Sequence, residues 1–143
     1  MPAQLQSNPT WMPVVAAAII GRDGRLLMHR RPAGKRHGGL WEFPGGKVES
    51  SETPQNALVR ELEEELGLRV RHGDLRPVCF AQDDGESGHP PIVILLYTAR
   101  VWEGEPQERE GNAWGWFTLE EADRLPKPPL DVVLLTGLKR MAA

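Results

Sequence analysis

Cysteine is almost absent from the 143-residue chain: Cys79 is the only one. With no partner in the chain it excludes an internal disulfide framework, and it fits a reducing, cytoplasmic setting. Long apolar runs are missing too. The two longest, residues 14–20 and 92–97, fall far short of the ~18 residues that a membrane span requires. Positive charge is in deficit, with 17 Lys and Arg against 20 Asp and Glu and a net charge of −3. That balance argues against non-specific binding to duplex nucleic acid, which needs a clustered basic surface. The first ten residues hold no Lys or Arg and no apolar stretch, so no secretory signal is expected. No repeat or low-complexity tract occurs. Residues 1–12 read as a loose arm and residues 13–143 as one domain, long enough to bury a core without metal or disulfide staples. Small molecules remain as the expected partners, with the chain a monomer or weak homodimer.

What is present reads as alternating strands and helices. Residues 14–20 are apolar and partly β-branched, Gly21-Arg22-Asp23-Gly24 is turn chemistry, and residues 25–31 form a second run, predicting a strand, a hairpin turn and a strand. Residues 32–39 hold three glycines with Lys35, Arg36 and His37 and read as a mobile basic loop. Residues 40–43 predict a short strand stopped by Pro44. Thr53 as N-cap, Pro54 in the first turn and Gly67 past the end predict a helix over 54–66. Strands are expected over 75–82, 92–102 and 113–117. Thr118 and Glu121 form a capping box for a short helix, and Asp131 is placed to cap a last helix from Val132 to about Met141. These elements predict a mixed sheet covered by helices, an α/β/α sandwich.

The 54–66 helix carries the chemistry. At about 100° per residue, Glu61, Glu64 and Glu65 fall within a narrow arc beside the Leu58, Leu62 and Leu66 stripe. Like charges at these spacings repel by roughly 0.2–0.5 kcal/mol per pair, and the helix dipole disfavours carboxylates in the last turns. Read alone, such a run is most simply a solvated face with Arg60 and Arg69 in ordinary ion pairs. A hard divalent cation with oxygen ligands suits the cluster better. Gly45-Gly46 ahead of the helix allows close backbone approach to phosphate or metal, and Lys47 adds a cation.

Gly46, Glu52 and the run Arg60-Glu61-Leu62-Glu63-Glu64-Glu65-Leu66-Gly67-Leu68 match G-x5-E-x7-R-E-U-x-E-E-x-G-U, U being aliphatic, at all nine specified positions over residues 46–68. The chain therefore resembles the Nudix hydrolases. The segment from Leu40 to Lys47, the pair Arg30-Arg31, and Trp102-Glu103-Gly104-Glu105-Pro106 look like the MutT-type branch. The resemblance implies a Nudix-type α/β/α sandwich. It also implies Mg²⁺-dependent hydrolysis of (deoxy)nucleoside triphosphates, oxidised ones such as 8-oxo-dGTP included, to monophosphate and pyrophosphate, with Mn²⁺ as an alternative ion. The role would be sanitation of the nucleotide pool, a form of DNA repair.

Carried over residue by residue, the Gly45 carbonyl, Glu61, Glu64, Glu65 and Glu110 are expected to hold metal, with Glu105 and Glu108 as competitors for the last place. Glu61 is a candidate base. Arg60 orients the glutamates as a planar fork, and Glu52 supports the loop or a metal. Arg31 and Lys47 are candidate phosphate contacts, and Phe43 could stack on a base. Guanine-specific MutT enzymes carry an Asn before the last helix; here residues 125–131 hold none, so Asp131 either reads a base edge or caps the helix. His29, His37, His72 and His89 lack metal-ligand spacing and read as loop or surface residues, and Cys79 as packing. Two other functions stay open. A Nudix enzyme for ADP-ribose or a dinucleoside polyphosphate would carry further motifs, and none is seen; a non-catalytic sensor would have lost box glutamates, and none is missing.

Overall fold

The computed structural model describes residues 10–85, 88–109 and 112–142. In chain order these form β1 (Met12–Ile19), β2 (Leu26–Arg30), β3 (Trp41–Glu42), β4 (Gly45–Lys47), α1 (Pro54–Leu66), a 3₁₀ turn (His72–Asp74), β5 (Leu75–Asp83), β6 (Ile92–Ala99), β7 (Ala113–Phe117), α2 (Leu119–Arg124) and α3 (Pro129–Ala142). One sheet has the order β4-β1-β6-β5, with β1 and β6 parallel and the other pairs antiparallel. The other is antiparallel with the order β3-β2-β7.

β1 shows why its sequence lacks alternation. Val15, Ala17 and Ile19 pack with Leu58, Leu62 and Leu66 of α1, whereas Ala16 and Ala18 pack with Leu134, Leu135 and Leu138 of α3. Both faces of the strand are covered, so both parities must be apolar. The result is the expected α/β/α sandwich with a mixed sheet.

The predicted β1–β2 hairpin is not formed. The Gly21–Gly24 reversal exists, with Gly24 N–H donating to Gly21 O at 2.9 Å and Gly21 N–H to Arg25 O at 2.9 Å, but beyond the isolated Ile20–Leu26 bridge the two strands enter different sheets. β1 already spends both edges on β4 and β6. Turn chemistry specifies a reversal of direction and leaves the pairing partner open. Gly45 to Lys47, for which no strand was expected, form one laid against Val14 to Ala16. β6 stops at Ala99 rather than at 102, and α3 starts at Pro129 rather than Val132.

The α1 boundaries agree with the local signals. Thr53 Oγ1 accepts from Asn56 N–H at 3.2 Å, and Gly67 ends the helix at φ 69°, in the left-handed region, its N–H donating to Glu63 and Leu62 carbonyls.

Candidate active site

Burying the leucine stripe of α1 against β1 leaves the next face of the helix lying over β4. Arg60 organises that face. Its Nε and Nη2 donate to the two oxygens of Glu52 at 2.7 and 2.9 Å, and its Nη1 reaches Glu61 at 3.0 Å and Glu64 at 3.3 Å. Nη2 also donates to the Lys47 carbonyl at 3.1 Å, which ties the helix to β4. This planar fork on one carboxylate is geometry that an ammonium could not copy. It holds the Glu52 carboxyl down to about 2, helped by the Glu49 backbone N–H. At the C-terminal end of α1, where the dipole opposes the glutamates, Arg109 donates to the Glu63 carbonyl at 2.8 Å.

The glutamates differ in setting. Glu61 is pressed against the backbone of β4: a Cβ on Gly46 would lie 2.4 Å from its carboxyl carbon. Burial pushes the Glu61 pKa up, opposed by Arg60. Glu65 accepts the Gly45 N–H at 3.0 Å, whereas Glu64 is open to solvent. Among the described residues no three acidic, His or Cys side chains already converge as a cage for a metal. The fit lies in the donors instead. Carboxylates and a backbone carbonyl are hard oxygen ligands, the donor type that Mg²⁺ takes while keeping several waters. Glu110 lies outside the described residues.

Beside Glu65 is a polar cavity of about 140 Å³, lined in part by His29, Arg31, Lys35 and Asn112. His29, expected as a loop or surface residue, instead lies in β2 and is 3% exposed. Its Nε2 stands 3.7 Å from Glu65 and its Nδ1 3.9 Å from Glu42, with Nδ1 making no hydrogen bond. Burial lowers its pKa, which keeps it neutral at physiological pH. The signal missed was position: His29 pairs with Trp114 in the middle of a three-stranded sheet. Arg31 bonds Glu42 at 3.1 Å and the Arg36 carbonyl at 2.8 Å, so it borders this cavity already oriented. Lys47 is exposed on β4. Lys35 was expected only as part of a basic loop and Glu42 only as part of the Leu40–Lys47 segment, and Asn112 carries no motif of its own.

Asp131 does not cap α3. It sits inside the first turn, 5% exposed, and its Oδ2 accepts the Phe43 N–H at 3.0 Å across 88 positions of sequence. Its other oxygen has no hydrogen-bond partner among the described residues. Burial, then the charge of Glu42, pushes its pKa up to about 7. The Phe43 ring is buried among Met28, Leu134 and their neighbours. It is therefore the Phe43 backbone that meets Asp131, and the ring is not free to stack on a base.

The chain as a whole is similar to known proteins. A model of the NUDIX domain matches residues 10–135. The CTP pyrophosphohydrolase of Escherichia coli is 40% identical over 129 residues, covering 90% of this chain and 93% of that protein. The 8-oxo-dGTP diphosphatase of Escherichia coli is 34% identical over 128 residues, covering 89% and 96%. Among solved structures, that of the E. coli ORF135 protein superposes with a TM-score of 0.82 at 38% identity, covering 94% of this chain and 93% of that one. A complete signature helix on this sandwich, together with relatives matched over nearly their whole length, places the chain in the Nudix hydrolase family, among its MutT-like members.

Proposed function

We propose that this Nudix hydrolase cleaves (deoxy)nucleoside triphosphates to monophosphate and pyrophosphate, with Mg²⁺ held by Glu61, Glu64, Glu65 and the Gly45 carbonyl, and Glu110 as a further ligand. The observation that carries the reading is the Arg60 fork, which holds Glu52, Glu61 and Glu64 in one array against β4. A bound divalent ion would supply charge neutralisation on the phosphoryl oxygens and a lowered pKa for a water nucleophile. The chain's own groups do the rest. Glu61, whose basicity burial raises, accepts the proton of the attacking water. Arg31 and Lys35 at the polar cavity beside Glu65 receive phosphate oxygens, and exposed Lys47 adds charge from β4. Arg60 and Glu52 act as positioning residues.

Asp131 reads the base. An ionised Asp accepts from an exocyclic amine such as cytosine N4, and a protonated one can also donate; a pKa near 7 makes both forms accessible. The similarity to a CTP pyrophosphohydrolase supports a cytosine nucleotide as substrate, and that to 8-oxo-dGTP diphosphatases supports an oxidised guanine nucleotide as the second reading.

The test is kcat/KM for CTP, dCTP, dGTP and 8-oxo-dGTP in wild type and Asp131→Asn, with pyrophosphate and orthophosphate release followed separately. Pyrophosphate release, and a change in nucleotide ranking of about tenfold in the variant, are expected; a good buried hydrogen-bond match is worth roughly 1–3 kcal/mol. Orthophosphate as the sole inorganic product overturns the reaction, and parallel profiles overturn the role of Asp131.

A further inference from the structure

A second cavity lies away from the carboxylates. It measures about 690 Å³ and opens at the other end of β1, around the Gly21–Gly24 turn and the chain that follows β6. Gly21 lies five positions beyond Ala16, the residue paired with Gly45, which is roughly 16 Å at strand spacing. The volume is within the roughly 300–1,000 Å³ usual for small-ligand pockets.

Its lining combines two features. Trp102 and Trp116 stack with ring centroids 5.9 Å apart and planes 26° from parallel. Both rings pack on the core cluster beneath α1, and Trp116 is held in β7 opposite Leu27, so the aromatic face is rigid. Around it stand Arg22, Arg25 and Arg100, three guanidinium groups against the two carboxylates of Asp23 and Glu105. Arg25 is tied to Asp23 at 3.7 Å. Arg22 and Arg100 have no ion pair or hydrogen bond among the described residues, although the chain has more acidic than basic residues. Unpaired guanidinium groups beside a fixed indole face match a ligand that is aromatic at one end and multiply anionic at the other. Exposed Val101, 62% accessible, adds apolar surface at the same place.

We propose that this cavity is a second ligand site that takes a mononucleotide, with the base against the Trp102–Trp116 pair and the phosphate between Arg22 and Arg100. It is separate from the Glu61, Glu64 and Glu65 array, and Glu105, which lines it, then belongs to this site and is not a metal ligand.

The test is titration of the ¹⁵N-labelled full chain in EDTA with AMP, adenosine and inorganic phosphate, following the assigned indole signals of Trp102 and Trp116. AMP is expected to shift both signals saturably and to bind at least tenfold more tightly than adenosine or phosphate. Arg22→Ala/Arg100→Ala should weaken AMP binding at least tenfold at these signals with an unchanged melting temperature, and Arg100→Glu should do so more strongly. Asp131→Asn should leave this affinity unchanged, since it alters only the other site. Failure of AMP to move the Trp102 and Trp116 signals overturns the proposal, as does undiminished affinity in the two arginine variants. Phosphate binding as tightly as AMP removes the aromatic half of the site and overturns the nucleotide assignment. Because no turnover is measured, these outcomes are independent of whether the triphosphatase reading stands.

Discussion

Asp131→Asn separates the cost of a buried charge from the shape of the residue that carries it. The Asp131 carboxyl is 5% exposed, and burial followed by the charge of Glu42 raises its pKa from 3.8 to about 7. At 1.36 kcal/mol per pH unit, that rise corresponds to about 4 kcal/mol. The folded chain binds this proton more tightly than the unfolded chain does. The contribution is therefore fully present below about pH 4, is lost as the pH rises toward 7, and above that the ionised carboxylate remains buried at that cost. Asparagine has nearly the same shape and does not titrate, and its Oδ1 still accepts the Phe43 N–H that Asp131 accepts at 3.0 Å. Part of that cost is already present at pH 5, where the unfolded carboxyl is ionised, so between pH 5 and pH 8 the variant should gain on wild type by about 1–3 kcal/mol, the lower figure allowing for local relaxation and water entry. Glu42, also raised by burial, is coupled to Asp131 through their charges, so its own ionisation is eased in the variant and acts in the same direction. Urea unfolding followed by tryptophan fluorescence at pH 5, 6, 7 and 8 reads the difference directly. Two stability curves that run parallel across this range would refute the reasoning, because they would mean that Asp131 ionises in the fold as readily as in the unfolded chain.

The remaining predictions address the catalytic array and the packing around it. Arg60→Lys should lower kcat about 10–100-fold at fixed Mg²⁺, because a point charge cannot hold both oxygens of Glu52 while reaching Glu61 and Glu64; near-normal kcat would make Arg60 a charge-balancing surface residue. Glu64→Gln and Glu65→Gln should each abolish most turnover at saturating Mg²⁺ without loss of fold, and relieved repulsion along α1 could raise the melting temperature. Unchanged turnover in both would remove the metal assignment. Gly46→Ala places a Cβ 2.4 Å from the Glu61 carboxyl carbon, so Glu61 must move and activity should fall well before stability does, measured as kcat against melting temperature. Gly137→Ala brings a Cβ to 2.6 Å from Cys79 Sγ where α3 meets β5, and should cost about 1–3 kcal/mol by overpacking, read by urea unfolding with kcat unaffected.

How much of this was legible before folding depended on the range of the interaction. The α1 boundaries, its Thr53 and Gly67 caps, the Thr118–Glu121 box and the signature glutamates could be read from the sequence, because capping and helical spacing act within a few residues of each other. That the glutamates need a counterweight was also readable, from repulsion and the helix dipole. The identity of that counterweight was only partly so: Arg60 lies in the same helix, but Arg109 reaches the Glu63 carbonyl from 46 positions away. Partner choice between strands was out of reach, since β1 and β2 satisfy every local rule for a hairpin and yet join different sheets. The burial of His29 followed from that pairing. So did the contact between Asp131 and Phe43, and the meeting of Trp102, Trp116, Arg22 and Arg100 around one cavity. Burial and the pKa shifts it causes are properties of what surrounds a side chain in three dimensions, and those neighbours are chosen by how whole elements cover one another's apolar faces.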